Sequence, residues 1–531
     1  MSSRGPCDDA AVRWAVGESP CARPARPWVL AATILGSSMA FVDMTIVNVS
    51  LPVIQSRLGA SGTGAQWIVE AYALFLSALI LAGGALGDRL GRRRVFLTGI
   101  AIFALSSAAC GLARDVAELV AARSIQGIGA ALLVPNSLAI LGAAFPASER
   151  GRAIGTWSAF SSVASAVGPL AGGWLVQSIS WRAAFFVNLP IAAAVAGISV
   201  FFVPESRNPD ARRLDVLGAS LVTLGLAGST YALIESADRG WSDGRVLASL
   251  AIGAFGLVAF VFQERRSPHP MVPPSLFRIR AFLAANLLTL FLYAALGASL
   301  YFISFDLIQA QGWTPTATGA AIVPLIVFMF ALSRWSGALA DRIGPRLQLT
   351  WGPAITALGF ALLAIPGAGA NFWTGFLPGL CAIGFGMALT VAPLTTVVLG
   401  AVDSRHAGTA SGVNNAVARV AGLLAIAALG ILFAGIFHRS LDRRLASADV
   451  SSATREHVRA ESGKLGATRP PPDAARDEAR TVESAVRDSV AVSFRVVSLA
   501  CAALALAASG CAAWGIRPGR ESHRAVKRAA A

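Results

Sequence analysis

Runs of about 20 apolar residues recur along this chain from Trp28 to Trp514, about the length a helix needs to cross a bilayer core. A segment inside lipid has no water to satisfy its backbone N–H and C=O groups, so it must satisfy them itself, and the α-helix does so. Fourteen such spans can be read, at 28–51, 67–87, 95–113, 118–141, 153–176, 182–203, 215–235, 246–263, 281–305, 318–340, 347–366, 371–398, 408–437 and 489–515. Apolar residues make up 55% of the chain and charged ones only 14%, with a mean hydropathy of +0.63. A soluble protein of that composition would expose more oily surface than water tolerates. The expected fold class is therefore an all-α polytopic membrane protein.

The formal charge is +15 and the pI about 10.9. In a soluble chain that would point to nucleic acid, but the basic residues fall in short loops between apolar runs, which is the topogenic pattern. With a cytoplasmic N-terminus, the inner loops hold Arg89, Arg92, Arg93 and Arg94, then Arg150 and Arg152, Arg207, Arg212 and Arg213, Arg265, Arg266, Arg278 and Arg280, and Arg342 and Arg346. The short outer loops hold few. The long segment 438–488 is rich in arginine and acid alike, and long segments translocate largely regardless of charge. It contains the breaker Arg469-Pro470-Pro471-Pro472, and the expectation is a mobile or partly helical tether without chemistry. The first 27 residues have arginines but no separate apolar core, so the first span itself is expected to direct insertion, with no cleavable signal peptide.

Other classes are disfavoured. A phosphate loop needs Gly-Lys-Ser or Gly-Lys-Thr; the two lysines, Lys464 and Lys527, precede Leu465 and Arg528. No metal-binding or nucleophile motif stands out, the six cysteines lack ligand spacing, and the five histidines are scattered. The chain reads as no enzyme, with no cofactor, no metal and no nucleic-acid partner.

Two stretches repeat. Gly84-Ala85-Leu86-Gly87-Asp88-Arg89-Leu90-Gly91-Arg92-Arg93 matches Gly337-Ala338-Leu339-Ala340-Asp341-Arg342-Ile343-Gly344-Pro345-Arg346 at seven of ten positions. Each lies between two apolar runs and reads as a tight cytoplasmic turn, with glycines for the bend and an Asp to cap a helix or pair with Arg. Asp88 and Asp341 stand 253 residues apart, which is some eight helices at about 20 residues per span plus its loop. Two parallel six-helix halves must then carry two extra helices between them. The expected organisation is a cytoplasmic tail 1–27, a six-helix bundle 28–203, the inserted pair with its linkers 204–280, a second bundle 281–515 including 438–488, and a cytoplasmic tail 516–531.

These features together resemble the major facilitator superfamily, and specifically its fourteen-helix drug:proton antiporter branch. Gly84 through Arg94 is similar to the superfamily's cytoplasmic loop motif. Asp43 through Pro52 resembles the first-helix motif, and Leu119 through Ala131, with Arg123-Ser124-Ile125-Gln126-Gly127-Ile128-Gly129, the fourth-helix motif. Gly168-Pro169-Leu170-Ala171-Gly172-Gly173 resembles the fifth-helix antiporter motif, and Trp181 through Pro190 also matches the branch. The resemblance implies an inner-membrane exporter of diverse amphipathic drugs and antibiotics in exchange for protons, working by alternating access between two bundles. Export of an endogenous metabolite or lipid stays open, as does, less favoured, nutrient import. The expected partners are a small-molecule substrate, protons and the lipid bilayer; a monomer is expected, with accessory export proteins an open alternative.

A proton-coupled carrier needs an ionisable group within the bilayer. Asp43, deep in the first span, is the leading candidate. Arg123 lies inside the fourth span, and the resemblance places it in the proton path. Glu70, near the outer end of the second span, falls at a depth similar to Asp43 and is a third candidate. Asn48, Gln126, Asn136, Trp157, Tyr293, Asp306 and Arg419 are candidates for the substrate cavity, with Asn188 and Asn286 in the same class. Gly84, Asp88, Arg89, Gly91, Arg92, Asp341 and Arg342 form the candidate gating loops. Gly168, Pro169, Gly172 and Gly173, with Gly155, would form a tight mechanical seam.

Overall fold

The structure, a computed structural model, describes residues 24–207, 215–267, 270–402 and 407–516. Most of the two expected tails, with Cys7 and Cys21, lies outside the described residues, as do a few side chains of the fifth and tenth helices, Asp341 among them. Every described element is a helix, a turn or irregular chain. In order these are α1 Arg26–Leu58, α2 Gly62–Leu90, α3 Arg92–Leu112, α4 Val116–Ala144, α5 Ala147–Ser178, α6 Ala183–Phe202, α7 Val216–Arg239 and α8 Gly244–Arg266. There follow α9 Arg280–Phe305, α10 Pro315–Ile343, α11 Pro345–Leu363, α12 Leu377–Gly400, α13 Ala407–Ser447, the short α14 Ser452–Glu461 and α15 Arg476–Gly515. Each of the fourteen expected spans falls on one of the long helices. Eleven described helices are long and apolar enough to cross a membrane unaided; α5, α10 and α11 are the others.

The helix ends are set by local chemistry. Asp115 caps α4 by accepting the Glu118 N–H at 2.8 Å, while Glu118 reaches back to the Arg114 N–H at 2.8 Å, a pairing close to a capping box. Thr314 caps α10 and Pro315 opens it, where no N–H is needed. At the two repeated turns, Gly91 has φ 114° and Gly344 φ 82°, a region that side-chain-bearing residues rarely enter. Asp88 pairs with Arg92, Nε to Oδ1 2.9 Å, but it does not cap α3. That role falls to the buried Glu205, whose carboxylate accepts the N–H groups of Arg93 and Arg94 at 3.1 and 3.2 Å, an anion seated on a helix N-terminus.

The helices divide into two compact units. The first holds residues up to Ile54, Trp67–Ser229 and Ala248–Met271; the second holds Gln55–Gln66, Thr230–Leu247 and the chain from Val272 onward. Each is built on small residues that bring backbones together, the usual way to pack helices where lipid is as apolar as leucine. In the first unit, a methyl group at Gly127 of α4 would stand 2.5 Å from the Tyr72 carbonyl oxygen of α2, and one at Gly129 2.7 Å from the Phe103 nitrogen of α3. In the second, a methyl at Gly384 of α12 would stand 2.5 Å from the Leu325 carbonyl oxygen of α10, and one at Gly386 2.7 Å from the Thr356 nitrogen of α11. Tyr72 and Leu325, like Phe103 and Thr356, are 253 residues apart. The repeat read from the two turns therefore extends into the helix crossings. Helices α7 and α8 meet on glycines of their own, with Gly228 against the Gly253 nitrogen and the Ser249 carbonyl.

The segment expected to be mobile or partly helical is largely helical. Helix α13 continues to Ser447, α14 and a 3-10 turn Ser462–Ala467 follow, and α15 begins at Arg476. Glu478 of α15 accepts the Ser451 N–H at 2.9 Å and the Thr454 hydroxyl at 2.8 Å, and Arg444 pairs with Asp488 at 2.8 Å. The reason is polar satisfaction: the acids that balance the arginines in composition are used to fix the segment's own ends. Residues 448–451 and the stretch 468–475 around the proline breaker stay outside helix.

Candidate functional site

Five helices of the first unit converge on one dry polar cluster. Asp43 of α1 and Arg123 of α4 form an ion pair with both side chains fully buried, Nη1 to Oδ2 2.5 Å. The second carboxylate oxygen, Oδ1, accepts from Gln126 Nε2 at 2.9 Å and Asn188 Nδ2 at 3.0 Å. Arg123 also donates through Nε to the Ile68 carbonyl at 3.0 Å and through Nη1 to Gln126 Oε1 at 2.7 Å. Its guanidinium lies 4.3 Å from the centre of the Tyr72 ring, a cation–π contact.

Local sequence explains why these groups can meet. Gly127, next to Gln126, lets α4 sit directly on the Tyr72 backbone, which brings Arg123 within reach of Ile68. Helix α6 breaks at Val187 between Ala183–Phe186 and Asn188–Phe202, and the break presents Asn188 to Asp43. The Asn188 amide also donates to Ser107 Oγ of α3 at 3.0 Å, and Ser107 donates to the Phe185 carbonyl at 2.9 Å. The Cys110 thiol donates to Gln126 Oε1 at 3.7 Å.

Buried charges are costly unless paired and hydrogen-bonded, and breaking such a pair from one side costs about 3–5 kcal/mol. Asp43 and Arg123 meet both conditions. Glu70 does not: it is fully buried, and neither carboxylate oxygen has a hydrogen-bond partner among the described residues. Similar depth does not bring it to the cluster. Ile68 and Tyr72, the α2 residues that touch Arg123, each lie two positions from Glu70, so its side chain leaves the helix about 200° around from theirs.

The other sequence candidates are dispersed. Gln126 belongs to the ion-pair cluster rather than a wet cavity, because it is fully buried with both ends of its amide engaged. Asn136 is also fully buried and donates to the Gly83 and Leu132 carbonyls at 3.0 and 2.6 Å, close against Gly87; it is a helix-packing residue. Trp157 donates to Ser37 Oγ at 3.2 Å. Asn48 and Tyr293 are half-buried. Asp306 is buried in a π-turn, Asp306–Ala310, and accepts from Gln311 at 3.2 Å. Arg419 is half-buried on α13, the helix from which Asn414 donates to Asn286 and Thr289 at 3.2 and 2.7 Å.

In the two candidate gating loops Gly84 packs on Pro135, and Arg89 and Arg342 are exposed. In the antiporter motif Gly168, Pro169, Gly172 and Gly173 are all buried. Gly168 leaves no room for a Cβ against Thr45 Oγ1, and a methyl at Gly172 would stand 3.0 Å from the Ile46 Cα. The seam thus joins α5 to α1 one turn beyond Asp43. Gly155 is not part of it, since its open side faces empty space.

Sequence reasoning missed the roles of Asn188, Ser107, Tyr72 and Glu205. The first three are ordinary residues in apolar runs. Glu205 carried a faint signal, as an acid placed directly after a span and before an arginine-rich linker.

The sequence pattern of the Major Facilitator Superfamily matches residues 33–426. The chain is 38% identical over 435 residues to the "Multidrug resistance protein Stp" of Mycobacterium tuberculosis, covering 81% of this chain and 80% of that one. It is 34% identical over 417 residues to the "Tetracenomycin C resistance and export protein" of Streptomyces glaucescens, covering 77% and 76%. Among solved structures, a bacterial homologue of the human lysosomal transporter Spinster superposes with a TM-score of 0.62 at 18% identity, covering 92% of this chain and 97% of the other; at that identity the likeness speaks for the fold. With helices that span a bilayer, an internal two-fold repeat and a match over most of its length, the chain belongs to the Major Facilitator Superfamily and is a membrane transporter rather than an enzyme.

Proposed function

We propose that this transporter is a proton-coupled antiporter that exports drugs, antibiotics or other amphipathic small molecules across the bacterial inner membrane by alternating access. The observation that carries the reading is the dry Asp43–Arg123 pair, an ionisable carboxylate held inside a membrane-spanning bundle. Relatives known for resistance and export support the substrate class. In this reading Asp43 exchanges the proton, Arg123 stabilises its charged form, and Glu70 is a second acid on the route. The α1–α5 seam at Gly168 and Gly172 limits leak as the bundles rock. Both termini and the turns at Gly91 and Gly344 face the cytoplasm, α7 and α8 are the inserted pair, and the protein works as a monomer.

The test is expression in a pump-deficient bacterium with a panel of antibiotics and dyes. Resistance should appear, should vanish with Asp43→Asn, and should vanish when an uncoupler collapses the pH gradient and voltage. Efflux that survives both treatments undiminished removes the proton from the mechanism.

A further inference from the structure

The Asp43 carboxylate is held from two sides by different means. Oδ2 takes the Arg123 guanidinium, and Oδ1 takes two neutral amides, from Gln126 and Asn188. The amides are not equivalent. The Gln126 carbonyl is engaged, accepting from Arg123 Nη1 at 2.7 Å and from the Cys110 thiol. The Asn188 carbonyl oxygen is buried and has no hydrogen-bond partner among the described residues.

We propose that Asn188 is a positioning residue for proton exchange at Asp43, one that recognises both forms of the carboxyl group; this rests on the reading of Asp43 as the proton-exchanging acid. In the ionised form the Asn188 N–H donates to Oδ1, as the structure shows. A proton arriving on Oδ1 makes that oxygen a donor and a weaker acceptor for the N–H groups aimed at it. Gln126 cannot turn its carbonyl toward the new O–H without withdrawing it from Arg123. Asn188 can: a half-turn of its amide brings the idle carbonyl to the proton, at the cost of the two hydrogen bonds its N–H groups make, to Asp43 Oδ1 and Ser107 Oγ. The proton leaves by the reverse turn. No covalent bond changes apart from the O–H formed and broken.

The titratable and charged groups around the carboxylate are few. Helix α4 brings Arg123, and α3 brings the Cys110 thiol, which interacts with both charges of the pair. Helix α2 brings the Tyr72 ring, with its hydroxyl committed to the Ala40 carbonyl. Helix α6 brings neutral Asn188, and α5 meets α1 through the neutral residues Gly168 and Gly172.

The proposal is tested without knowing the substrate. Purified protein is treated with dicyclohexylcarbodiimide, which attacks protonated buried carboxyls, across a pH series, and labelling at the Asp43 peptide is read by mass spectrometry. Asn188→Leu keeps the side chain's approximate size and removes both donor and acceptor. The bond lost to the anion is charge-assisted and about twice as strong as the neutral one. The pH of half-labelling should therefore rise by about one unit, a tenfold change. The Glu70 peptide in the same digest, turned away from the cluster, should keep its profile. An unmoved Asp43 profile overturns the proposal, and so does an Asp43 that never reacts in either protein. If the leucine variant does not assemble, the same titration on Asn188→Ser decides, with a smaller rise expected and no rise overturning. The outcome is separable from the coupling reading, because efflux indifferent to an uncoupler would remove coupling and leave the titration result standing.

Discussion

At the crossings of α4 with α2 and α3 in the first unit, Gly127 and Gly129 bring backbones together and Arg123 and Gln126 are buried beside them. At the matching crossings of α12 with α10 and α11 in the second unit, Gly384 and Gly386 do the same work, and Leu380 and Ile383 stand where the charge and the amide would be, each 1% exposed. The difference shows that close helix packing and buried charge are separate properties. Glycine needs only a backbone opposite. Arg123 needs a carboxylate from α1, a carbonyl from α2 and a second acceptor on α4, all inside a buried bundle, and the first unit supplies all three.

The comparison can be broken most directly at its charged end. Arg123→Leu should abolish export and cost about 3–5 kcal/mol, because it strands Asp43 without its cation; thermal unfolding in detergent and dye efflux measure the two effects. Leu380→Ala, at the equivalent place in the other unit, should cost about 2–5 kcal/mol as a core truncation, yet the protein that folds should still export with an unchanged pH profile. A pH profile altered equally by both changes would mean that charge is not confined to one half.

The packing half of the comparison predicts symmetry. Gly127→Val and Gly384→Val each drive side-chain carbon into a carbonyl oxygen, and each should cost about 1–3 kcal/mol or more through overpacking. Similar losses of melting temperature are expected; tolerance at one site alone would show that the two crossings are not equivalent.

A smaller effect is expected from Glu205→Gln, which keeps hydrogen-bonding atoms but removes the negative charge from the N-terminus of α3. The loss should be about 0.3–2 kcal/mol, read as melting temperature, with faster hydrogen exchange confined to the first turn of α3. The smallest belongs to the folded segment of the second unit. There the Glu461 carboxyl is held below its ordinary value, chiefly by the hydrogen bond from Lys464. A lowered value means that the stabilisation is present at neutral pH and is lost as pH falls through the carboxylate range. Lys464→Gln should therefore slightly lower the melting temperature at neutral pH, and the difference from the parent protein should shrink as pH falls below the ordinary glutamate value of about 4.

Much of this was legible residue by residue. Asp43 and Arg123 stand out because a charge in an apolar run is rare and expensive. Gly91 and Gly344 stand out because they recur in equivalent turns. Ser107 does not, and Asn188 reads only as a cavity candidate, since an amide or hydroxyl in a membrane helix usually serves ordinary helix contacts. The composition of 438–488 suggested a solvated tether, because balanced charge says nothing about which acid will meet which base. There Glu478 turned out to fasten Ser451 and Thr454.

The sequence by itself determined where along the chain the membrane-length helices lie, that the molecule repeats, and how deep along its helix each buried charge sits. These follow from short-range rules: a fixed rise per residue, a bilayer of fixed thickness, and turns that only glycine makes easily. The tertiary structure decided which acid receives a cation. Asp43 and Glu70 lie at similar depth, but one faces α4 and α6 while the other faces away from Arg123. That choice depends on how neighbouring helices are rotated and packed, which residues far apart in the chain settle together.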